Sequence, residues 1–448
     1  MNGGSVAYVV RVTAGAAATA TVTLTDGTDN ILAVDASSPG AWANDRLRVS
    51  LPAGAASGLF NLKIEEVEGV DPGVVLNSED YFSLSMDPNH ARYALPIVNS
   101  ASTLVRLRRL SDVASFDVPT TVPVAPNNRT RSGADGDEPG SNTWRTSTGG
   151  AALKGSSSAK TGLHALDKIV PFVFNLLCIP AAVDLEEADM RDVYSEAITY
   201  VEIKRAFLIL DIASTVTTPD LMKTWQTSNA GLGSKNAAVY FPRLVAPNPL
   251  KGATPENMSA SGAVAGVFAR TDAQRGIWKA PAGTEALLRG ATVAYKMTDG
   301  ENGGLNPLGL NALRNFPVYG DVVWGARTMD GADQKASEYK YVPIRRLALY
   351  IEESLFQGLK WVVFEPNDAP LWSQIRLNVG AFMNSLFRQG AFQGQTAREA
   401  YFVKCDHETT TQNDIDRGIV NIVVGFAPLK PAEFVVLKIQ QMAGQLQA

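Results

Sequence analysis

Two amphipathic stretches decide the fold of the last third of this chain: PIRRLALYIEESLFQG at residues 343–358 and PLWSQIRLNVGAFMNSLFRQG at residues 370–390. Proline opens the first stretch and glycine ends it, which is typical of helix boundaries. Asn367 or Asp368 can cap the second stretch, and Gly390 stops it. Each stretch predicts a helix with one buried face. The predicted faces are Leu347, Tyr350, Ile351 and Leu355 in the first helix and Leu371, Ile375, Val379, Phe382 and Leu386 in the second.

Three strand-like segments follow these helices. Tyr401–Cys405, Val420–Phe426 and Phe434–Ile439 predict an α+β domain over residues 336–448. No turn follows the last segment, so its backbone N–H and C=O groups need a partner from elsewhere. A neighbouring copy can complete the sheet by strand addition, which makes residues 433–448 an exchanged arm. The predicted inter-subunit strand comprises Glu433, Phe434, Val435, Val436, Leu437, Lys438 and Ile439.

Upstream of the helices, strand-like and helical segments alternate. Val170–Ile179 and Arg205–Asp211 are apolar enough to be buried strands, and the intervening Glu186–Tyr200 has a helical pattern. Ala237–Leu244 adds a further strand. This alternation predicts a layered α/β core over residues 161–335.

The first 160 residues divide into three segments of different composition. Residues 1–45 open with a strand-like run at Val6–Val12, and we expect them to begin the core domain. Residues 46–110 predict a β-rich subdomain, because short alternating stretches lie between Gly, Pro, Asn and Asp. Residues 111–160 are rich in Pro, Gly, Ser and Thr and predict a flexible loop or linker. The fold class expected is therefore a multidomain protein with α/β and α+β parts.

Composition and charge argue against several classes of protein. The 40 Lys and Arg residues against 45 Asp and Glu give a net charge of -5, too small to indicate a nucleic-acid or membrane partner. The two cysteines, Cys178 and Cys405, cannot form a disulfide framework and are expected to be buried thiols. We expect neither an export signal nor a membrane anchor, since no stretch is apolar over the length of a bilayer span.

Motifs that suggest chemistry have simpler explanations. Cys405 and His407 could form a catalytic thiol or a zinc site, but they are better explained as a strand end and a polar turn, because the chain has only three histidines. Four acidic residues near the first helix are expected to form a solvated or salt-bridged surface: Glu352, Glu353, Glu365 and Asp368. The Gly-rich segments at 269–283 and 303–309 lack the spacing of phosphate-binding loops. No cofactor and no metal are expected.

A series of segments resembles the contractile tail sheath family of phages, bacteriocin-like particles and extracellular injection systems. The resemblance is weak near the N-terminus, at residues 2–12, 38–44 and 81–88, and stronger at 174–180, 261–272 and 275–283. The most specific segments are LNP at 305–307, VWGART at 323–328, YVPIRR at 341–346, FEPND at 364–368, LW at 371–372 and GFAPLKPAEF at 425–434. Sheath proteins of this type usually begin with an extended N-terminal arm, and we expect this sequence to start downstream of it.

The resemblance implies a structural protein and not an enzyme. Sheath protomers form hexameric rings, stacked helically around an inner tube and linked by exchanged strands, and contraction drives the tube through a target envelope. The partners implied are other copies of the chain, the inner tube protein, and baseplate and terminator or cap proteins, with no direct contact to nucleic acid or membrane. The implied setting is assembly in the bacterial cytoplasm, as part of a phage tail or injection particle.

The resemblance also implies an orientation. The C-terminal domain should face the tube and the β-rich subdomain should face outward. The predicted tube contacts are Arg388, Arg398 and Glu399, although ordinary surface charges explain them equally well.

Two rival functions remain open at this stage. A hydrolase-like α/β enzyme requires a convergent Ser, His and Asp or Glu set, and turnover of ester substrates by a monomer would favour it. A static baseplate or capsid-like protein would assemble without shortening and widening.

Overall fold

The computed structural model of this protein describes residues 2–110, 116–124, 127–139, 141–169 and 174–433. The chain forms two compact units, one of Val10–Ala165 and one of Met1–Val9 with Leu166–Ala448. Each unit encloses its own hydrophobic core. The α/β and α+β character expected from the sequence is confirmed.

The unit Val10–Ala165 is built mainly from two antiparallel sheets. Its elements are β1 (Thr21–Thr25), β2 (Asn30–Ala36), β3 (Leu47–Ser50), β4 (Phe60–Glu68), β5 (Val74–Leu84), α1 (Ala94–Ala101), β6 (Val105–Arg109) and α2 (Gly149–Lys154). One sheet has the order β1-β2-β6 and the other β3-β4-β5. Side chains alternate between buried and half-buried along β1 and β3, as a sheet with one face on a core requires.

The domain boundary expected at residue 45 is wrong. Val22 and Leu24 of β1 lie in the same hydrophobic cluster as Leu62 and Ile64 of β4, so residues 10–45 belong to the β-rich unit. The strand expected at Val6–Val12 is also absent from the described residues. Val6 is 76% exposed and Val9 90% exposed, so β-branched residues at these positions have no sheet to join.

The flexible linker expected over residues 111–160 is wrong for its described residues. Thr121 and Arg131 form isolated bridges with β1, and Arg129 bridges Arg48 of β3. Arg129 is 4% exposed and donates to the backbone oxygens of Asp45 and Gly69 at 2.9 and 2.8 Å. Pairing of its polar groups with the sheets holds the segment in place, and Val118 and Val122 also pack against the hydrophobic cluster.

The second unit contains the predicted α/β layer. Its elements are β7 (Leu176–Cys178), α3 (Glu187–Ile203), β8 (Phe207–Leu210), α4 (Pro219–Ser228), β9 (Ala237–Phe241), β10 (Leu244–Asn248), β11 (Thr254–Met258), α5 (Ser261–Arg275), β12 (Thr292–Val293), α6 (Asp299–Leu305), β13 (Asn311–Phe316) and β14 (Gly320–Val323). The main sheet has the order β14-β13-β9-β8-β7, with β7, β8, β9 and β13 parallel. All residues of β8 and β9 are buried, which explains their continuous apolar sequences.

The same unit continues into the C-terminal elements. These are α7 (Val342–Gly358), α8 (Ala369–Arg388), α9 (Ala397–Ala400), β15 (Tyr401–Lys404), α10 (Gln412–Asp416) and β16 (Val423–Phe426). Asp368 caps α8 by accepting a hydrogen bond from the Leu371 backbone N–H at 3.1 Å. The predicted helical faces differ in detail: Tyr350 is 40% exposed, Leu355 and Phe382 are half-buried, and Met383 is fully buried. Tyr350 and Phe382 contact each other at the rim, with ring centroids 6.2 Å apart.

The predicted boundary at residue 335, between the core and the C-terminal domain, does not divide two compact units, because the residues on both sides of it lie in one unit. Two consecutive arginines of α7 join them. Arg346 makes a bidentate contact with Asp272 of α5, at 2.9 and 2.5 Å. Arg345 donates to the side chain of Asn236 at 2.7 Å. Charged side chains buried this deeply need partners at fixed positions, so α7 is held against the α/β layer.

Candidate functional site: the anchor of the C-terminal segment

The fully buried side chain of Arg327 forms the centre of a polar network close to the C-terminal end of the described chain. Its backbone is held by the Asn311 side chain, which accepts from the Arg327 N–H at 2.7 Å and donates to the Arg327 carbonyl at 2.8 Å. The chain approaches Asn311 so closely at Gly325 that a Cβ there would lie 2.8 Å from the Asn311 Oδ1 atom. The motif glycine therefore allows Arg327 to reach its position.

The guanidinium of Arg327 binds Glu433 through two parallel hydrogen bonds. Arg327 Nε donates to Glu433 Oε1 and Nη2 donates to Oε2, both at 2.7 Å. The Glu433 side chain is 17% exposed. A bidentate arrangement of this kind is among the strongest and most directional contacts between side chains.

Four further groups complete the network. Arg327 Nη1 donates to the Asn306 carbonyl at 2.8 Å and to Asp333 Oδ1 at 2.9 Å. Lys340 Nζ binds the same Asp333 oxygen at 2.6 Å. The Tyr341 hydroxyl donates to Glu433 Oε2 at 3.0 Å. The carboxylate of Glu433 therefore accepts three hydrogen bonds from two residues that are distant in sequence.

Electrostatics favours the charged form of this network. Burial by itself would lower the pKa of Arg327, but hydrogen bonds and charge from Glu433, with a smaller contribution from Asp333, outweigh it and raise that pKa. Burial and then the negative charge of Glu433 raise the pKa of Tyr341 to about 12. The hydrogen bond from Lys340 lowers the pKa of Asp333. Arg327 and Asp333 are therefore charged, and the Tyr341 hydroxyl keeps its proton, over the whole neutral range.

The network lies at the root of the predicted exchanged strand. Glu433 is the first residue of that strand, and the structure shows it fixed by Arg327 rather than exposed to solvent. Phe434, Val435, Val436, Leu437, Lys438 and Ile439 lie outside the described residues. The exchange of this strand between copies therefore stays a prediction.

The segments that contribute Arg327 and Glu433 to this network lie within regions that match known protein families. Residues 155–329 match the family described as phage tail sheath protein central domain, and residues 334–442 match the phage tail sheath C-terminal domain. The helical sheath of the anti-feeding prophage, in its contracted state, is 31% identical with a TM-score of 0.52, over 69% of this chain and 77% of that one.

This chain belongs to the phage tail sheath family.

Two further relatives support that assignment. The sheath complex of the PVC extracellular contractile injection system, also contracted, is 30% identical with a TM-score of 0.52, over 63% of this chain and 75% of that chain. The tail sheath protein of Vibrio phage KVP40 is 25% identical over 179 residues, which make up 40% of this chain. The match spans only 25% of the length of that phage protein.

The pairing of Arg327 with Glu433 explains why two sheath-like segments far apart in sequence belong together. The VWGART segment at 323–328 supplies the arginine, and the GFAPLKPAEF segment at 425–434 supplies the glutamate. Sequence reasoning noted both segments but did not predict their contact. A glutamate before an apolar run, in a chain with an arginine next to apolar residues, suggests that each needs a partner but does not specify which.

The three residues predicted to contact a sheath's tube lie on adjacent elements. Arg388 is the last residue of α8, and Arg398 and Glu399 lie on α9. All three are exposed. Glu399 also has a local role, since its carboxylate accepts from the Gln395 backbone N–H at 2.8 Å and forms a capping box with Thr396. Backbone hydrogen bonds from Gln395 and then Thr396 lower the pKa of Glu399.

The other chemistry-like motifs have structural explanations. Cys405 is buried after β15, and burial raises its thiol pKa. Glu352 pairs with Arg345 at 3.0 Å and Glu353 with Arg205 at 3.1 Å, so the salt-bridged surface predicted for them is confirmed. No cluster of three potential metal ligands occurs within the ranges that the structure describes. Over those same ranges, no helix combines the length and the apolar character needed to cross a bilayer.

A buried carboxylate that sequence reasoning missed lies at the start of α5. Asp211 accepts hydrogen bonds from the backbone N–H of Ser261, at 2.8 Å, and from its hydroxyl. Burial raises the pKa of Asp211, and the contacts with Ser261 partly oppose this. The hydroxyl of Tyr194 donates to the Asp211 carbonyl at 3.1 Å. Asp211 therefore joins β8 to the first turn of α5, as a helix cap supplied from another element.

Proposed function

We propose that this chain is the protomer of a contractile tail sheath, which polymerises as stacked hexameric rings around an inner tube and contracts to drive that tube through a target envelope. The observation that carries the proposal is the 31% identity to a contracted helical sheath over 69% of the chain. The order of the two sheath domain matches along the sequence supports it.

The anchor at Arg327 gives this proposal a physical basis. A sheath must hold its copies together while their globular bodies move past each other, so the linking segment needs a firm root and a free end. Three hydrogen bonds to the Glu433 carboxylate supply the root. Residues 434–439 are apolar except for Lys438 and rich in β-branched residues, as in a strand, and they supply the part that pairs with another copy.

Contraction needs no cofactor under this proposal. Assembly traps an extended arrangement, and contraction buries more surface between neighbouring bodies. A gain on the order of a few kcal/mol for each protomer becomes large when many protomers change together. The protein is then a structural component and not an enzyme.

The proposed partners follow from the same assembly. Other copies of the chain, the inner tube, the baseplate and a terminator or cap protein contact the sheath, and assembly takes place in the bacterial cytoplasm. Arg388, Arg398 and Glu399 remain the proposed tube contacts. Likeness to a baseplate assembly of the anti-feeding prophage, at 31% identity and a TM-score of 0.54, supports baseplate association.

Electron microscopy of the purified chain tests the proposal. We expect tubes of stacked rings from the full chain and dispersed particles from a chain that lacks residues 434–448. Removal of residues 445–448 alone is the matched control and should leave the tubes intact. Equal polymerisation of the chain without 434–448 would contradict strand exchange, and tubes of a single fixed length and width under all conditions would favour a static assembly.

A further inference from the structure

The loop between α7 and α8 presents an unusually exposed aromatic side chain. Phe364 is fully exposed, at 102% of its reference surface, and the preceding Val363 is 62% exposed. Trp361 and Phe356, at 37% and 52%, extend the apolar surface toward α7. Large apolar side chains clustered on a surface mark an interaction site more often than isolated ones do.

The backbone holds Phe364 in this position at an energetic penalty. Its φ angle is +74°, a conformation that bulky residues rarely adopt. Hydrogen bonds on both sides keep the loop in shape: the Glu365 N–H donates to the Val362 carbonyl and the Asp368 N–H to the Pro366 carbonyl, each at 3.1 Å. The loop is therefore a hydrogen-bonded projection, and the unfavourable φ angle is explained if burial of Phe364 in an assembly offsets it.

A groove elsewhere in the same unit is lined mostly by small and apolar residues. It encloses about 350 Å³, a volume within the range that holds small ligands, so an aromatic side chain fits. Its walls and floor include Leu244, Ala246, Met258, Gly262, Ala263 and Gly266. Asn2 and Gly3, from the start of the same chain, also line the groove. Gly3 packs so closely there that a Cβ on it would lie 2.4 Å from the Gly266 carbonyl oxygen.

Charge also matches between the projection and the groove. Glu365 follows Phe364 directly, and Arg289 lines the groove. Within the described part of the chain, neither side chain forms an ion pair. Arg270 lies close by, and burial and then the positive charge of Arg289 lower its pKa. The groove therefore has an excess of positive charge that an incoming carboxylate would relieve.

We propose that Phe364 of one copy inserts into the groove between β10, β11 and α5 of a second copy, with Glu365 paired to Arg289. This inference rests on the proposed self-assembly and adds a contact between folded bodies, distinct from strand exchange. The contact joins different surfaces of the two copies, and such head-to-tail contacts generate rings or helices. It cannot form within one chain in the observed structure, where Phe364 contacts solvent.

Disulfide cross-linking tests the contact directly. Gly262→Cys introduces a thiol at the groove, where a Cβ meets no atom within 4 Å, and Val363→Cys places a thiol on the projection beside the intact Phe364. The double variant should give a ladder of cross-linked multimers, and a mixture of the two single variants should give dimers only. The control pairs Gly262→Cys with Leu377→Cys, which is 76% exposed on α8 and should not cross-link.

Charge exchange tests the proposed ion pair between Glu365 and Arg289. Glu365→Arg and Arg289→Glu should each raise the concentration needed for assembly, and a mixture of the two proteins should restore it, because each supplies the complement of the other. Phe364→Asp should raise that concentration roughly 10- to 100-fold, from the apolar area it removes. Leu377→Asp should change it less than about threefold.

The outcomes separate this inference from the proposed function. If the unmodified chain forms tubes but Phe364→Asp forms them equally well and no ladder appears, the inference fails and the sheath proposal stands. If the unmodified chain forms no tubes, the sheath proposal fails. In that case cross-linking of concentrated soluble protein still decides the inference: a ladder supports it, and its absence overturns it.

Discussion

Removal of the Glu433 carboxylate should destabilise the second unit far more than removal of an exposed carboxylate with the same contact distance. Glu433→Ala leaves the fully buried Arg327 without the acceptors for its Nε and Nη2 groups. Breaking a buried ion pair from one side typically destabilises a protein by about 3–5 kcal/mol. Because Asp333 and the Asn306 carbonyl still contact Nη1, we expect the lower end, about 3 kcal/mol.

The matched control is Glu285→Ala. Glu285 contacts Arg275 at the same distance of 2.7 Å, but the two side chains are 64% and 51% exposed. Exposed pairs contribute less than about 1 kcal/mol. With a denaturant slope of about 3 kcal/mol per molar urea, Glu433→Ala should lower the urea midpoint by about 1 M and Glu285→Ala by less than about 0.3 M.

Tryptophan fluorescence in urea measures the midpoint, and amide hydrogen exchange over residues 427–433 measures local release of the segment. Glu433→Gln should fall between the wild type and Glu433→Ala, because a neutral amide can accept only one of the two hydrogen bonds from Arg327. If both observables change no more in Glu433→Ala than in Glu285→Ala, Arg327 does not anchor the segment and the reasoning is refuted.

Three other predictions concern single groups. Asp368→Ala should destabilise the protein by about 1 kcal/mol in urea unfolding, because the Leu371 N–H loses its cap, and Asp368→Asn should retain most of the stability. The pKa of Tyr341 is raised to about 12, so the hydroxyl contributes fully to the free energy of unfolding below its ordinary pKa of 10, and this contribution disappears as the pH rises through 12. Tyr341→Phe should therefore lack the loss of stability that the wild type shows between about pH 10 and pH 12. Equal stability profiles of the two proteins at alkaline pH would contradict this. Cys178 is half-buried rather than buried as expected from the sequence, and it should react with a thiol reagent at pH 8 much more slowly in the folded than in the unfolded protein, because burial raises its pKa to about 12.

Prediction from sequence worked best where the signal was local. The two C-terminal helices begin and end within two residues of the expected positions, since proline, an Asp cap and glycine act within one turn. The sequence also predicts β7, α3, β8 and β9 of the α/β layer, because a buried parallel strand needs a continuous apolar run, but it does not predict α4, α5, α6 or β10 to β14. The pattern does not fix which residues at the edge of a helical face are buried, because that depends on the neighbouring surface: Tyr350 was predicted to be buried and is 40% exposed.

The anchor illustrates what local patterns cannot reveal. Glu433 and Arg327 are 106 positions apart, and nothing in either segment specifies the other as its partner. The groove and the projecting Phe364 were likewise invisible, since exposure and φ depend on how the whole unit packs. The acidic residues on α7 were interpreted correctly because helix spacing alone predicts a surface face.

The amino-acid order alone determined the two C-terminal helices, part of the α/β layer (β7, α3, β8 and β9) and the membership of a structural family, because periodicity and short motifs act over a few residues. Tertiary structure decided where the β-rich unit begins, that residues 116–124 and 127–139 are ordered, and which charge fixes Glu433. Those outcomes depend on which distant surfaces meet, and free energy from burial and pairing becomes available only once they do.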